Sequence, residues 1–445
     1  MSDEASPIRM LPLSAIVSSR RGLTYHADQL NGEAVNAVAY FNMKSFLKAG
    51  GLNVAGTKTF SGAVPSEFVL GKRDVLIANT DVTPGSDIIG SAALVPPEYL
   101  GRSTFSHHVT RLRVVDGTVE PSFLAKALLV ERVRHAMRAE SRGTTVKMLD
   151  LSGAMAIKIG VLPHSEQCRV VSILNTLDTA IHETEAIIAK LKAVKQGLLH
   201  DLLTRGIDAN DVLRPPQAEA PHLYKESPQG WIPKEWEIFS LGDVAESLVD
   251  GPFGSNLKTE HYVENLGVRV VRLQNILPGK YDDSEPVFIS EKHATSLSRN
   301  RVGGGDVLIA SLGDASYPVG RSCSYPVELP DAVNKADCFR FRAGKRCSNE
   351  FVMLSMNGST IRGQVRGYEQ GVTMKRVNLG NLRRIWIALP SLQEQCRIVE
   401  VIQAAHKKIE GAAIESQKLR NEKAGLMDDL LTGRVRVTPL LKRLR

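Results

Sequence analysis

The chain has 445 residues, a formal net charge of +8 and a pI near 9.2, with 43% hydrophobic residues. This length calls for at least two domains, and this hydrophobic share excludes a globally disordered chain. The basic balance suits a polyanionic partner, although a basic soluble enzyme would share it.

Residues 1–161 read as a mixed domain of short strands and helices. Ser18-Ser19-Arg20-Arg21-Gly22 reads as a glycine-bearing loop with small polar donors, suited to close approach to a phosphate backbone and equally to a plain turn. Asp74-Val75-Leu76-Ile77-Ala78 is an apolar run after a polar turn, expected as a short buried strand. Arg111-Leu112-Arg113 alternates as a strand with one charged face, and 122–139 reads as helix. Beyond Gly143, Thr145, Lys147 and Leu151, a strand leads to Leu162-Pro163, where the proline closes it before a helix begins.

Residues 166–203 contain no proline and carry an apolar stripe: Leu174, Leu177, Ile181, Ile188, Leu191, Leu198 and Leu202, interrupted by Thr184 and Lys195. Steps of three and four mark a coiled-coil seam. About 38 residues make a helix roughly 57 Å long, too long to bury its stripe inside one small domain. Residues 162–205 therefore read as a central long helix that needs another long helix to cover its stripe. Residues 206–229, with Arg214-Pro215-Pro216 and Pro221, read as a linker.

A second mixed domain is expected over 230–388, opening at Gly230-Trp231-Ile232-Pro233 with Trp236 anchoring its first strand. Asp250-Gly251-Pro252-Phe253-Gly254-Ser255-Asn256 is its glycine-bearing loop, with Lys258 just beyond. Arg340, Arg342, Lys375 and Arg376 lie in basic clusters able to neutralise phosphates or to pair with guanine. A second long helix over 389–434 repeats the stripe as Ile402, Ile409, Leu419, Leu426 and Leu430, interrupted by Ser416 and Lys423. Residues 435–445 form a basic tail.

The chain thus says the same thing twice. Glu166-Gln167-Cys168-Arg169 returns as Glu394-Gln395-Cys396-Arg397, and Asp201-Leu202-Leu203-Thr204 as Asp429-Leu430-Leu431-Thr432, both at an offset of 228 without a gap. Asp74-Val75-Leu76-Ile77-Ala78 returns as Asp306-Val307-Leu308-Ile309-Ala310, and Gly143, Thr145 and Lys147 as Gly371, Thr373 and Lys375. The fold expected is α+β: two similar domains separated by two long antiparallel coiled-coil helices, with a pseudo-twofold axis suited to a twofold target such as duplex DNA. Matching Gly197 and Gly425 suggest a tight crossing or a bend.

Catalytic and metal signatures are missing. There is no GxxxxGK[ST], GxSxG or HExxH motif, no Asn-Pro-Pro-aromatic motif, and no ligand-spaced cluster around His107-His108. The five cysteines are odd in number and lack CxxC spacing, which favours neither a disulfide framework nor zinc and suits a reducing cytoplasm. No apolar run reaches the ~18 residues of a membrane span, and no signal peptide is expected.

In order and duplication these motifs resemble the specificity (S) subunit of type I restriction-modification systems. The resemblance rests on Ile232-Pro233-Lys234-Glu235-Trp236, Gly251-Pro252-Phe253-Gly254-Ser255, Leu389-Pro390 before Glu394-Gln395, and Leu430-Leu431-Thr432-Gly433. The first half lacks the Pro-x-x-Trp and Gly-Pro-Phe-Gly elements. The resemblance implies a non-catalytic subunit with two target-recognition domains, each reading one block of an asymmetric bipartite DNA site. The helices would fix the unread spacer and dock two methyltransferase subunits, and restriction subunits would join them. S-adenosylmethionine, ATP and Mg would sit on those partners, with no cofactor in this chain. Ser18, Arg20, Arg21, Gly22, Lys147, Phe253, Gly254, Ser255, Asn256, Lys258, Arg340, Arg342, Lys375 and Arg376 are the candidate DNA contacts. Two alternatives stay open: an enzyme with a divergent nuclease or methyltransferase site, and a coiled-coil scaffold that does not bind DNA.

Overall fold

The computed structural model describes residues 8–30, 37–252, 256–264 and 267–442. The chain is mixed helix and strand, with two compact units: residues 1–186 with 413–445, and residues 187–412.

In the first unit a four-stranded antiparallel sheet has the spatial order Val17–Arg21, Val109–Val114, Asp74–Ala78, Ala92–Leu94. Asp74–Ala78 is buried along its length. Successive strand residues point to opposite faces, so this strand feeds two cores. Val75 and Ile77 join Leu13, Ile16, Leu112, Phe123 and Leu124, whereas Leu76 and Ala78 join Phe41, Phe105 and Val109. Arg9–Pro12 pairs antiparallel with Lys158–Val161, which gives the strand closed by Pro163 its partner.

The second unit repeats the order with Ala245–Val249, Cys338–Ala343, Val307–Ala310 and Ser322–Ser324. Val307 and Ile309 face one core with Leu241, Phe341, Phe351 and Trp236; Leu308 and Ala310 face another with Val271, Ile276 and Tyr325. Glu237–Ser240 pairs with Trp386–Leu389. A further five-stranded sheet runs Tyr262–Val263, Phe288–Ile289, Val268–Val271, Ala332–Asn334, Arg301–Val302.

Two sequence expectations are corrected. Ser18 to Arg21 are not a loop: Val17–Arg21 is an edge strand in unbroken register with Val109–Val114. Its exposed Ser and Arg side chains suit an edge that must not recruit another strand. Gly197 and Gly425 mark no tight crossing, because a Cβ at either would meet nothing within 4 Å. They lie off the seam, on solvent-facing positions.

The long helices are His164–Thr204 and Leu392–Leu431. Each gives part of its length to each unit. Leu174, Leu202, Ile402, Ile409, Ser416 and Leu430 are buried; Leu177, Ile181, Thr184, Ile188, Leu191, Lys195, Leu198, Leu419, Lys423 and Leu426 are half-buried. The helices run antiparallel within the first unit, where Asp178 pairs with Lys423 at 2.6 Å and Glu185 with Arg420. In the second unit Lys195 Nζ lies 3.4 Å from His406 Nδ1. Residues 206–229 are packed within their own unit: Ile207 and Tyr224 are buried, and Tyr224–Ser227 forms a hairpin with Gly230–Pro233.

The repeated Glu-Gln pair fastens each helix start. Gln167 Nε2 donates to Leu162 O at 2.7 Å and Thr118 O at 2.8 Å, and its Oε1 accepts from Glu120 N at 2.8 Å. Gln395 Nε2 donates to Pro390 O at 2.9 Å and Arg346 O at 3.0 Å, and its Oε1 accepts from Ser348 N at 2.9 Å. Both amides are fully buried. Each ties the end of the closing strand and the segment leading into an earlier helix, Pro121–Ala127 or Asn349–Asn357, to the long helix, a use for a buried amide that satisfies all its partners.

Candidate nucleic-acid interface

Strand directions decide which residues can share a surface. Arg21 pairs with Thr110 and Ala78 with Val109, so Arg21, Gly22 and the chain after Ala78 lie at one end of the first unit's sheet. Gly22 is required there: a Cβ would lie 2.3 Å from both Phe105 O and Ser106 O. Beyond Ala78 the strand continues as Thr80–Asp81, which pairs with Lys147–Leu149 through Lys147↔Asp81 and Met148↔Thr80. Arg21, Gly22 and Lys147 are thus gathered at one end. Ser18 sits opposite Arg113, farther along the strand, and Arg20 Nη1 lies 3.8 Å from Glu67.

Four residues not chosen from sequence complete this end. Asn79 Nδ2 donates to Thr110 Oγ1 at 3.0 Å, and Asn79 N donates to His108 O at 3.0 Å. Thr80 Oγ1 lies 3.0 Å from His108 Nδ1. The His107 and His108 rings are 3.9 Å apart. Burial lowers the His108 pKa, with His107 and Arg21 adding to the effect, so this ring favours its neutral form and could hydrogen-bond as donor or acceptor. The sequence carried a signal, the His107-His108 pair, but metal-ligand spacing was the wrong test for it.

The second unit builds the same end from other residues. Val249 pairs with Arg340 and Ala310 with Cys338, so the segment from Asp250 and the segment after Ala310 emerge together. A Cβ on Gly251 would lie 1.9 Å from Lys335 O. Leu312–Gly313 pairs with Lys375–Arg376, as Thr80–Asp81 does with Lys147–Leu149. The backbone tie is also repeated: Leu149 N donates to Asn79 O at 2.8 Å and Val377 N to Ser311 O at 2.9 Å. Asn256 and Lys258 are exposed, and Lys375 is half-exposed. Arg376 is exposed and ion-paired with Asp337. Phe253, Gly254 and Ser255 lie outside the described residues.

Arg340 and Arg342 are placed differently. Arg340 is 5% exposed, and Arg342 holds the buried Asp306 carboxylate through two 2.8 Å bonds. Arg113 holds Asp74 in the same way at 2.7 Å. These bonds raise the pKa of both arginines, and each pair ties the two central strands together at the end of the sheet away from Lys147 or Lys375. A surface arginine and a carboxylate-locked one look alike in sequence; the difference lies in the aspartate that begins the neighbouring strand.

Among the described residues no group of three His, Cys, Asp or Glu side chains could hold a metal ion, and no helix is long and apolar enough to cross a membrane.

The family described as type I restriction modification DNA specificity domain matches residues 233–420. The MjaVIII specificity subunit of Methanocaldococcus jannaschii is 22% identical over 84% of this chain and 82% of its own. Residues 233–420 thus resemble this specificity domain, and the similarity to type I specificity subunits extends over most of the chain. The EcoKI specificity subunit of Escherichia coli is 23% identical over 43% of this chain and 40% of its own. The fold agrees. A solved chain from work on assembly and conformational transition of the type I R-M system superposes with a TM-score of 0.60 at 17% identity, over 97% of this chain and all of that one. The type I S subunit from M. genitalium gives 0.51 at 16% identity, over 97% of each. The family match begins at Pro233, where the Trp236 motif starts, and ends inside the second long helix.

Proposed function

We propose that this chain is the non-catalytic DNA-recognition subunit of a type I restriction-modification complex, binding an asymmetric, bipartite DNA site. The observation that carries this is repetition with divergence. Each unit has the same sheet order and the same Gly-x-Thr-x-Lys turn at one end, beside loops of unrelated sequence. A shared frame with different loops is what two separate readings require. Residues 1–161 and 230–388 would be the two target-recognition domains, and the antiparallel helices would fix the unread spacer between half-sites. Of the sequence candidates, Arg21, Gly22, Lys147, Asn256, Lys258, Lys375 and Arg376 would make the DNA contacts, supported by the shared sheet end for Arg21, Gly22, Lys147, Lys375 and Arg376 and by exposure for Asn256 and Lys258.

Exposed Ile187 and Val194 on the first long helix support docking of partner helices. Two methyltransferase subunits would dock there, bringing S-adenosylmethionine, and restriction subunits would bring ATP and Mg. This chain would hold no cofactor and would work in the cytoplasm.

The test is footprinting of the full chain on duplex DNA, with salt titration. We expect two protected blocks and an affinity that falls steeply with salt. Inserting or deleting about one helical turn within 175–195 should change the spacer or abolish specific binding. An unchanged spacer with unchanged affinity would end the ruler assignment. Methyl transfer or cutting by the purified chain alone would end the non-catalytic one.

A further inference from the structure

The loop joining the second and third core strands is closed in the same way in both units, although its sequence is not shared. In the first unit it spans 79–91, in the second 311–321. Gly90 N donates to Ala78 O at 2.9 Å and Gly320 N to Ala310 O at 2.8 Å. Both glycines have positive φ, +68° and +75°. Each packs on the matching helix position: a Cβ on Gly90 would lie 2.4 Å from Met137, and one on Gly320 would lie 3.1 Å from Val365, with Met137 and Val365 at the 228 offset. One turn earlier on the same helices stand Arg134 and Arg362, again 228 apart. Arg134 Nη2 donates to Asp87 O at 2.6 Å, and Arg362 Nη1 donates to Val319 O.

Both arginines grip main-chain carbonyls, so the grip does not depend on the loop's side chains. Further pins differ between the units. The Asp81 carboxylate accepts from Thr83 N and Ile88 N, each at 2.6 Å. Buried Arg321 donates to the carbonyls of Leu312, Tyr317 and Pro318. What stays exposed is Val82, Pro84 and Gly85 in one unit, and Asp314, Ala315, Ser316 and Tyr317 in the other. Each loop continues directly from or into the strand paired with Lys147 or Lys375.

From this geometry we infer that loops 82–89 and 314–319 are exchangeable specificity-determining elements, and that Arg134 and Arg362 are their positioning residues. The inference rests on the DNA-reading assignment and adds where in each unit the bases are discriminated. A sequence-blind tether lets the loop change its side chains, and so its target, while its height above the sheet stays fixed. Rigid presentation matters because base readout demands side chains held to within a fraction of an ångström.

The experiment is selection of randomised duplex DNA by the full chain, with sequencing of the bound pool, beside thermal midpoints of every variant. Tyr317→Ala and Ser316→Ala lie on the exposed loop and should change the bases enriched in one half-site only. Arg362→Ala should lower discrimination in that same half-site by about fivefold, the lower end of what one mismatched base pair costs, with the other half-site unchanged. Arg362→Lys keeps a charged donor for the carbonyl and should recover part of the loss. Arg134→Ala should act on the opposite half-site. A bipartite wild-type pool with identical pools from the Tyr317, Ser316 and Arg362 variants overturns the loop assignment alone. Equal loss in both half-sites, following the thermal midpoint, overturns it as well. A wild-type pool without enrichment overturns the DNA-reading assignment and the loop assignment with it.

Discussion

The two units place the same carboxylate at the start of each long helix and satisfy it differently. Glu166 accepts from Arg436 Nε at 2.8 Å, Arg436 Nη2 at 2.7 Å and Thr438 Oγ1 at 2.9 Å. Glu394 accepts from Arg214 Nη1 at 2.6 Å, Ile207 N at 3.0 Å and the Trp236 indole N–H at 3.3 Å. In both, the arginine comes from the segment past the end of the other long helix, whereas Trp236 lies farther along the chain. A buried carboxylate demands donors but not a particular donor residue. An arginine meets the carboxylate in both, from positions 436 and 214 that are not at the 228 offset, and the remaining donors differ, so duplication is close at the carboxylate and looser at its clasp.

The largest expected break between the units is at Trp236. It is fully buried, packs in the second unit's core and has no counterpart motif in the first half. Trp236→Ala should cost about 3–5 kcal/mol and also remove a donor from Glu394. Hydrogen exchange of the full chain should show protection lost in residues 187–412 and kept in the first unit. Equal loss in both would mean that the units do not unfold separately.

The buried glutamines test the opposite expectation, sameness. Gln167→Leu and Gln395→Leu each remove three bonds and strand a backbone N–H. Each should cost about 2–3 kcal/mol, the desolvation of unpaired groups exceeding the net worth of the bonds themselves. Urea midpoints of the two variants should agree closely. A glutamine that could be replaced at no cost would be one whose repetition is inherited rather than structural.

Periodicity and register-free motifs made the long helices, the buried strands and the repeat legible in sequence. Leu174, Ile402 and Leu430 could be assigned to a seam because helix geometry alone fixes which residues share a face. The sheet ends could not be assigned that way. Whether Ser18 to Arg21 form a loop or an edge strand depends on Val109–Val114, some ninety residues away. Arg342 reads as a free cation until Asp306 is seen beside it. Asn79, Thr80 and His108 meet only through strand pairing, and no local pattern announces that meeting.

Acid should reach the first unit's clasp in a defined window. The Arg436 hydrogen bonds hold the Glu166 pKa below its ordinary value, with Thr438 adding to them against the effect of burial. A carboxylate with a depressed folded pKa adds stability that is complete above its unfolded value. That stability is lost as pH falls through the folded one. Unfolding of the wild-type chain followed between about pH 5 and pH 3 should therefore show a decline that Glu166→Gln lacks. A Glu166→Gln profile parallel to wild type across that range would remove the clasp from the account of acid sensitivity.

The smallest expected difference lies in the helix seam, at the equivalent lysines 423 and 195. Lys423 meets Asp178 at 2.6 Å, and Asp178 also meets Lys126 at 2.9 Å. At the 228 offset Asp178 becomes His406, which faces Glu410 at 3.3 Å and leaves Lys195 no carboxylate in contact among the described residues. Burial accordingly lowers the Lys195 pKa, with the more distant Glu410 opposing it. A lysine depressed in this way disfavours the folded state wherever it is charged, and the penalty fades only as pH rises through its lowered value. Lys195→Met should thus be neutral or slightly stabilising. Lys423→Met, which removes a half-exposed ion pair, should cost about 0.5–1 kcal/mol. Its sensitivity to salt should be the greater of the two, since screening weakens an attraction at 423 but not a desolvation cost at 195. Urea midpoints at low and high salt measure both terms, and equal destabilisation by the two variants would mean that the half-buried lysines are held by the seam's packing rather than by charge.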